Sequence, residues 1–294
     1  MEGVLGLVAG MCLLAVVMLA RWLVQPVAPE GGPPAVPAEV ARHTARWRWG
    51  GVITGLAVGG AAAGSGALGR GFLLAAPVFG LCVLTGVVAG ELTVRPPGGR
   101  TRAAVLEVRR VRDYLPRRLT TAVLGAAVAL ASLAAVTTAT AVPDHLGRAG
   151  RWLQLACGPG LVQTSGPWAG SFYTLPLAVL VAAGLVAAGG ALHAVVGRAR
   201  TGTDPGTVAA DDALRRRAAW TVTGACGILV AVPLAGLCVV SAGAVLSQFC
   251  RPAWVTVAGW ALLALAGAAV ALLSWCAAVL LAPGRVAAAA LPAR

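Results

Sequence analysis

The residue types that could do chemistry are few in this chain, and most of them are arginine. All 23 basic residues are Arg, with no Lys anywhere. That removes any reaction that needs a lysine amine, such as Schiff-base formation or a phosphate-loop Lys. The sequence Gly64-Ser65-Gly66 with His193 has the residue types of a Ser/His dyad. A nucleophile and its base must come within hydrogen-bond reach, and the spans derived below put these two at opposite membrane faces. His43, His145 and His193 fall inside, outside and within the membrane, so they cannot share one metal or haem. Asp211-Asp212 ahead of Arg215-Arg216-Arg217 fits helix capping and i,i+4 ion pairs better than a cation site, because no third ligand is near. No cofactor, metal or nucleic-acid partner is expected.

The elements that would have to position these groups are set by composition. Of 294 residues, 59% are hydrophobic and 11% charged, with mean hydropathy +0.84. Soluble domains carry about 25% charged residues, which excludes an ordinary soluble enzyme, and the apolar content excludes intrinsic disorder. Apolar runs of roughly 18–25 residues mark membrane spans. They predict seven helices: 3–24, 49–68, 71–90, 119–142, 174–196, 220–246 and 253–282. Only Gly69 and Arg70 separate the second and third, which requires a tight turn. The first has an acidic start, Met1-Glu2, and no small-x-small cleavage site, so it reads as a retained anchor rather than a signal peptide.

Counting arginines between spans gives 4-1-8-2-5-1-2, which puts 19 on one side and four on the other. The positive-inside rule makes the richer side cytoplasmic. The expected fold is an all-α bundle of seven spans in a single membrane domain, N-terminus outside and C-terminus inside. Trp22, Trp47, Trp49 and Trp220 fall at inner ends and Trp254 at an outer end, where aromatic belts form.

The connections differ in character. Residues 25–48 begin with a Pro/Gly-rich run and read as a cytoplasmic linker. In Thr101–Leu115, Ala104, Val108, Val111 and Leu115 share one helical face, which predicts a basic interfacial helix at 101–115. Arg102, Arg109, Arg110, Arg112, Arg117 and Arg118 would meet anionic headgroups or a protein partner there. The outer connection 143–173 is too polar to span. It holds Cys157, and the next outer connection holds Cys250, while the other five cysteines lie in spans. The outside is the oxidising compartment, so a Cys157–Cys250 disulfide is expected, with free thiols under the outer loop as the alternative. Gly51, Gly55 and Gly59, with Gly60–Gly64 and Gly86–Gly90, form small-xxx-small rows that let helix backbones approach in lipid. They predict a tight hairpin of the second and third spans, or self-association through the same face.

The stretches FGLCVLTGVVAGELTVRPP (79–97), LEVRRVRDYLPRRL (106–119), DHLGRAGRWLQLAC (144–157) and DDALRRRAAWTVTGACG (211–227) resemble a group of uncharacterised multi-pass membrane proteins of high-GC actinobacteria, streptomycetes in particular. The resemblance runs from about Trp47 onward. It implies a cell-membrane location and brings no activity or functional residues with it. Three functions fit the sequence. The first is a non-enzymatic accessory or scaffold protein with an arginine-rich cytoplasmic face. The second is a permease or channel-like component for an uncharged or hydrophobic solute. The third is a lipid-active enzyme drawing on Glu91, Arg95 and Asp113.

Overall fold

The computed structural model describes residues 38–65, 69–94, 110–148, 150–197, 205–250 and 252–281. The expected first span 3–24, the linker up to residue 37, Arg95, Arg102 and Arg109 lie outside these residues. The described chain runs α1 (Ala38–Gly64), α2 (Arg70–Leu92), a 3-10 turn (Val111–Asp113) and α3 (Arg117–Ala139). A small sheet follows, of β1 (Ala141–Val142), β2 (Trp152–Gly158) and β3 (Leu161–Ser165), and then α4 (Ser171–Val196), α5 (Pro205–Leu246) and α6 (Ala253–Leu281). Five of the six described helices, α2 to α6, are long and apolar enough to cross a membrane. The sixth, α1, carries Arg42, Arg46 and Arg48 in its first half and glycine in its second, and both lower its hydropathy.

The central element is α5. Every residue from Thr221 to Ala231 is buried, as expected of a helix apolar on all sides. Two-thirds of its apolar window is buried inside the bundle (67%), against 33% or less for the other four. Those helices turn large apolar side chains outward instead, among them Phe72, Val128, Val179, Val186 and Trp260. Apolar outer faces of this extent mark a surface that meets lipid or protein rather than water.

Helix α1 lies against α2 along a glycine seam. A Cβ on Gly51 would sit 2.8 Å from the Cys82 carbonyl oxygen, and one on Gly86 would sit 2.7 Å from that of Trp47. Gly55 and Gly59 face Phe79 and Ala75, and Gly90 faces Trp47. Gly60 and Gly64 take no part, since nothing described lies within 4 Å of a Cβ at either position. Three further glycines meet the central region: Gly80 and Gly184 close on Leu229, and Gly227 closes on Cys276.

Several expectations need correcting. Helix α1 starts at Ala38, so residues 38–48 continue the helix where a linker was expected, with Glu39 favourably placed in the first turn. Helix α5 starts at Pro205, not Trp220, with Pro at the position where its missing N–H costs nothing. At 42 residues and a 1.5 Å rise it is about 63 Å long. That is twice the roughly 30 Å hydrocarbon core, so its first turns must project beyond the bilayer. The interfacial helix is not formed over its described part. Arg110 is extended, Val111–Asp113 make a single 3-10 turn, and Leu115 precedes Pro116, a position biased away from helix.

The connection 143–173 contributes β2 and β3 to an antiparallel sheet ordered β1-β2-β3, whose β1 takes Ala141–Val142 from the end of the expected span 119–142, because α3 stops at Ala139. Ala141 pairs with Leu153 and Val142 with Trp152, and β2 pairs with β3 from Leu153↔Ser165 to Gly158↔Leu161. Gly160, at φ 76°, makes the left-handed turn between β2 and β3 that only glycine adopts freely. The sheet is held down by Trp168, which donates its indole N–H to the Thr137 carbonyl at 2.9 Å and to Thr140 Oγ1 at 3.2 Å.

Candidate functional site

The two ends of the bundle are chemically different. At one end lie the start of α1, the end of α2, the starts of α3 and α5 and the end of α4. At the other end lie the sheet and the α5–α6 connection.

The arginine-rich end has an exposed layer and a buried layer. Arg110, Arg112, Arg117 and Arg118 are exposed. Arg112 pairs with Asp113 at 3.8 Å between two largely exposed side chains, a geometry that contributes little. Arg117 and Arg118 occupy the first turn of α3, where the helix dipole opposes cations by about 0.3–1 kcal/mol each. Helix stability therefore does not explain their presence.

Beneath them Arg215 is 2% exposed. It donates Nε–H to Asp211 Oδ2 at 2.9 Å, and its Nη1 caps the carbonyls of Val195, at 3.2 Å, and Val196. A cation there complements the negative end of α4 and fastens α4 to α5. The expected Asp211–Arg215 pairing is thus present, but Asp211 lies in the second turn of the helix and caps nothing. Tyr114 donates its hydroxyl to Asp212 at 3.2 Å, which secures the 3-10 turn ahead of α3.

A second buried cluster joins three helices. Arg217 on α5 donates Nη2–H to Thr44 Oγ1 on α1 at 3.1 Å. Thr221, one turn on, donates to Glu91 Oε1 at the end of α2 at 3.3 Å, with Glu91 8% exposed. Arg48, one turn along α1 from Thr44, lies within electrostatic reach of both Arg217 and Glu91. The Nε–H groups of Arg48 and Arg217 are buried without a partner. In the sequence Glu91 and Arg217 read separately, the first as a candidate group of a lipid-active enzyme and the second as part of the Asp/Arg pattern at a helix start. The signal that could have joined them is the glycine seam: once Gly86 and Gly90 bring α1 onto α2, Thr44 and Arg48 must sit beside Glu91.

At the opposite end a disulfide joins Cys157 to Cys250 across 93 residues, with Cα atoms 5.5 Å apart. Beside it the Gln163 side-chain Oε1 accepts from the backbone N–H groups of Phe249 and Cys250, at 3.1 and 3.3 Å. The hairpin is therefore tied to the α5–α6 connection through both strands, β2 by the disulfide and β3 by Gln163. Asp144 organises the rest of the cap. It accepts from the N–H groups of Leu146 and Arg148, both at 2.9 Å, from Arg148 Nε at 2.8 Å and from Arg151 Nη1 at 3.0 Å. Desolvation alone would raise its carboxyl pKa, but the Arg148 and Leu146 hydrogen bonds and the Arg148 charge outweigh it and hold Asp144 below the usual range. The guanidinium groups of Arg70 and Arg151 stand 4.7 and 5.3 Å from the Phe172 ring centroid, in cation–π range, so the α1–α2 tip is held against the cap.

Ser65 and His193 are not brought together. Ser65 ends α1 on the cap side, its hydroxyl donating to the Ala62 carbonyl, while His193 is in the last turn of α4 at the arginine-rich end. Glu91 and Asp113 likewise differ in setting, the first buried against α5 and the second exposed. The chain matches no protein-family model, and no curated protein or solved structure shows significant similarity to it.

Proposed function

We propose that the chain is a multi-pass cell-membrane protein of seven spans, N-terminus outside and C-terminus inside, of the actinobacterial type its sequence resembles. We further propose that it works without catalysis, as an accessory or scaffold protein. Its arginine-rich cytoplasmic face rests among anionic headgroups and offers a docking surface to an acidic segment of a partner protein. The observation that carries this reading is the placement of charge. Seven exposed arginines among the described residues (Arg42, Arg46, Arg110, Arg112, Arg117, Arg118 and Arg216), two of them against the dipole of α3, gather at one end of a bundle whose central helix is buried on every side from Thr221 to Ala231. Charge held at a surface at a cost to its own helix is charge kept for an outside partner. A cap tied by the disulfide fits the oxidising side of the membrane.

The test is purification in native lipid particles with mass spectrometry of whatever stays bound. A stoichiometric protein that disappears when Arg110, Arg112, Arg117 and Arg118 are changed to Ala is the expected outcome. A lone chain carrying a reproducible small solute would contradict it and favour a permease.

A further inference from the structure

The buried cluster at the arginine-rich end is not used by a docking surface made of exposed arginines. Among the described residues it holds two guanidinium groups and one carboxylate: Arg48 on α1, Arg217 on α5 and Glu91 on α2. Arg217 spends one N–H on Thr44, and Arg48 makes no hydrogen bond to a described residue. The Nε–H of each is out of contact with solvent and unpaired. A buried donor without a partner costs about 1–3 kcal/mol, more when charged; Arg70 and Arg151 at the cap share this feature but stand over the Phe172 ring, whereas Arg48 and Arg217 have no ring contact of that kind among the described residues. Guanidinium forks match the oxygens of a phosphate. The depth also fits a lipid, because Trp47 and Trp49, flanking Arg48, are about half exposed and Trp220 lies one turn from Arg217. Tryptophans at this level mark the headgroup zone.

We propose that Arg48 and Arg217 together bind the phosphodiester of one anionic phospholipid lodged between the inner ends of α1 and α5, with Glu91 limiting the site to a single negative charge. A headgroup without its own ammonium is favoured, because a second cation would face two arginines. The inference rests on the same membrane orientation as the proposed function but not on any protein partner. Loss of the partner with the lipid retained would sink the docking surface alone, and the reverse would sink this site alone.

The experiment uses the full chain stripped of lipid in detergent, titrated with phosphatidylglycerol or phosphatidylcholine and read by native mass spectrometry. One phosphatidylglycerol per chain is expected, held at least about tenfold more tightly than phosphatidylcholine. R48Q should weaken it by about tenfold or more, the loss of one charge-assisted pair. R48Q removes no hydrogen bond within the described protein, so it keeps the test valid if R48Q/R217Q fails to fold. E91Q should bind several-fold more tightly, an outcome that a purely structural cluster would not produce. Equal binding of the two lipids, or unchanged binding in R48Q, would overturn the proposal. Displacement of phosphatidylglycerol by millimolar inorganic phosphate would overturn the lipid source in favour of a soluble phosphate.

Discussion

Arg215 carries a full charge at 2% exposure, and it does so because each face of its guanidinium finds an acceptor. Asp211 takes one side and the last carbonyls of α4 take the other. Replacing Arg215 with Met removes these charge-assisted bonds and leaves the carbonyls unpaired, an expected loss of about 2–3 kcal/mol, readable as a lower thermal midpoint in detergent. Arg215→Lys should fall between, since it keeps the charge but not the fork. The i,i+4 spacing shows the Asp211 half of this arrangement in the sequence. The α4 carbonyls are invisible there, because contacts between chain-distant helices leave no local pattern. Asp144 has its own signature. Its folded pKa is depressed, so its contribution is fully present above the unfolded value of about 3.9 and is lost as pH falls through the folded value. Thermal scans from pH 7 to pH 3 should therefore show the cap weakening at the acid end. In Asp144→Asn that part of the acid dependence should vanish and the cap should be weaker at pH 7; an unchanged acid profile would contradict this role.

Among the elements, the α1–α2 hairpin was the most legible, since Gly51, Gly55, Gly59, Gly86 and Gly90 repeat at the spacing of one helix face. Spacing alone could not separate these from Gly60 and Gly64, which share the period but turn away from α2. That difference is testable. Gly86→Val would push a side chain into the Trp47 backbone and the Gly51 Cα, where nothing flexible can yield, and should cost about 1–3 kcal/mol. Gly60→Val, facing open space, should stay within about 0.5 kcal/mol of the parent. Equal effects in denaturation assays would mean that the seam is not where the helices meet. The sheet was legible in principle, because Gly158-Pro159-Gly160 is a turn signal between two short strands with alternating burial. Apolar-run length does not reveal it, because strands of seven and five residues are far shorter than a span. The ends of α1 and α5 were misjudged for a related reason: an apolar run marks only the part of a helix that lipid covers, and polar turns beyond the bilayer stay helical without one.

For the whole molecule, composition and run length were enough to identify long apolar helices, and five are present among the described residues. What the sequence could not supply was which helix lies at the centre, since α6 and the part of α5 after Arg217 are both long uncharged apolar runs. The distinction rests on burial, and it gives the molecule its polarity: an apolar axis, a disulfide-tied cap at one end and a surface of arginines at the other. In the proposed orientation these two ends face opposite sides of a membrane, the cap outward. The most direct measurement treats intact cells with a membrane-impermeant maleimide before and after an impermeant reductant, assigning labelled peptides by mass spectrometry. An Arg216→Cys variant reports on the other end. In that orientation Cys157 and Cys250 label from outside only after reduction, and position 216 labels only after lysis. Labelling of position 216 in intact cells, or of Cys157 and Cys250 only after lysis, would contradict it.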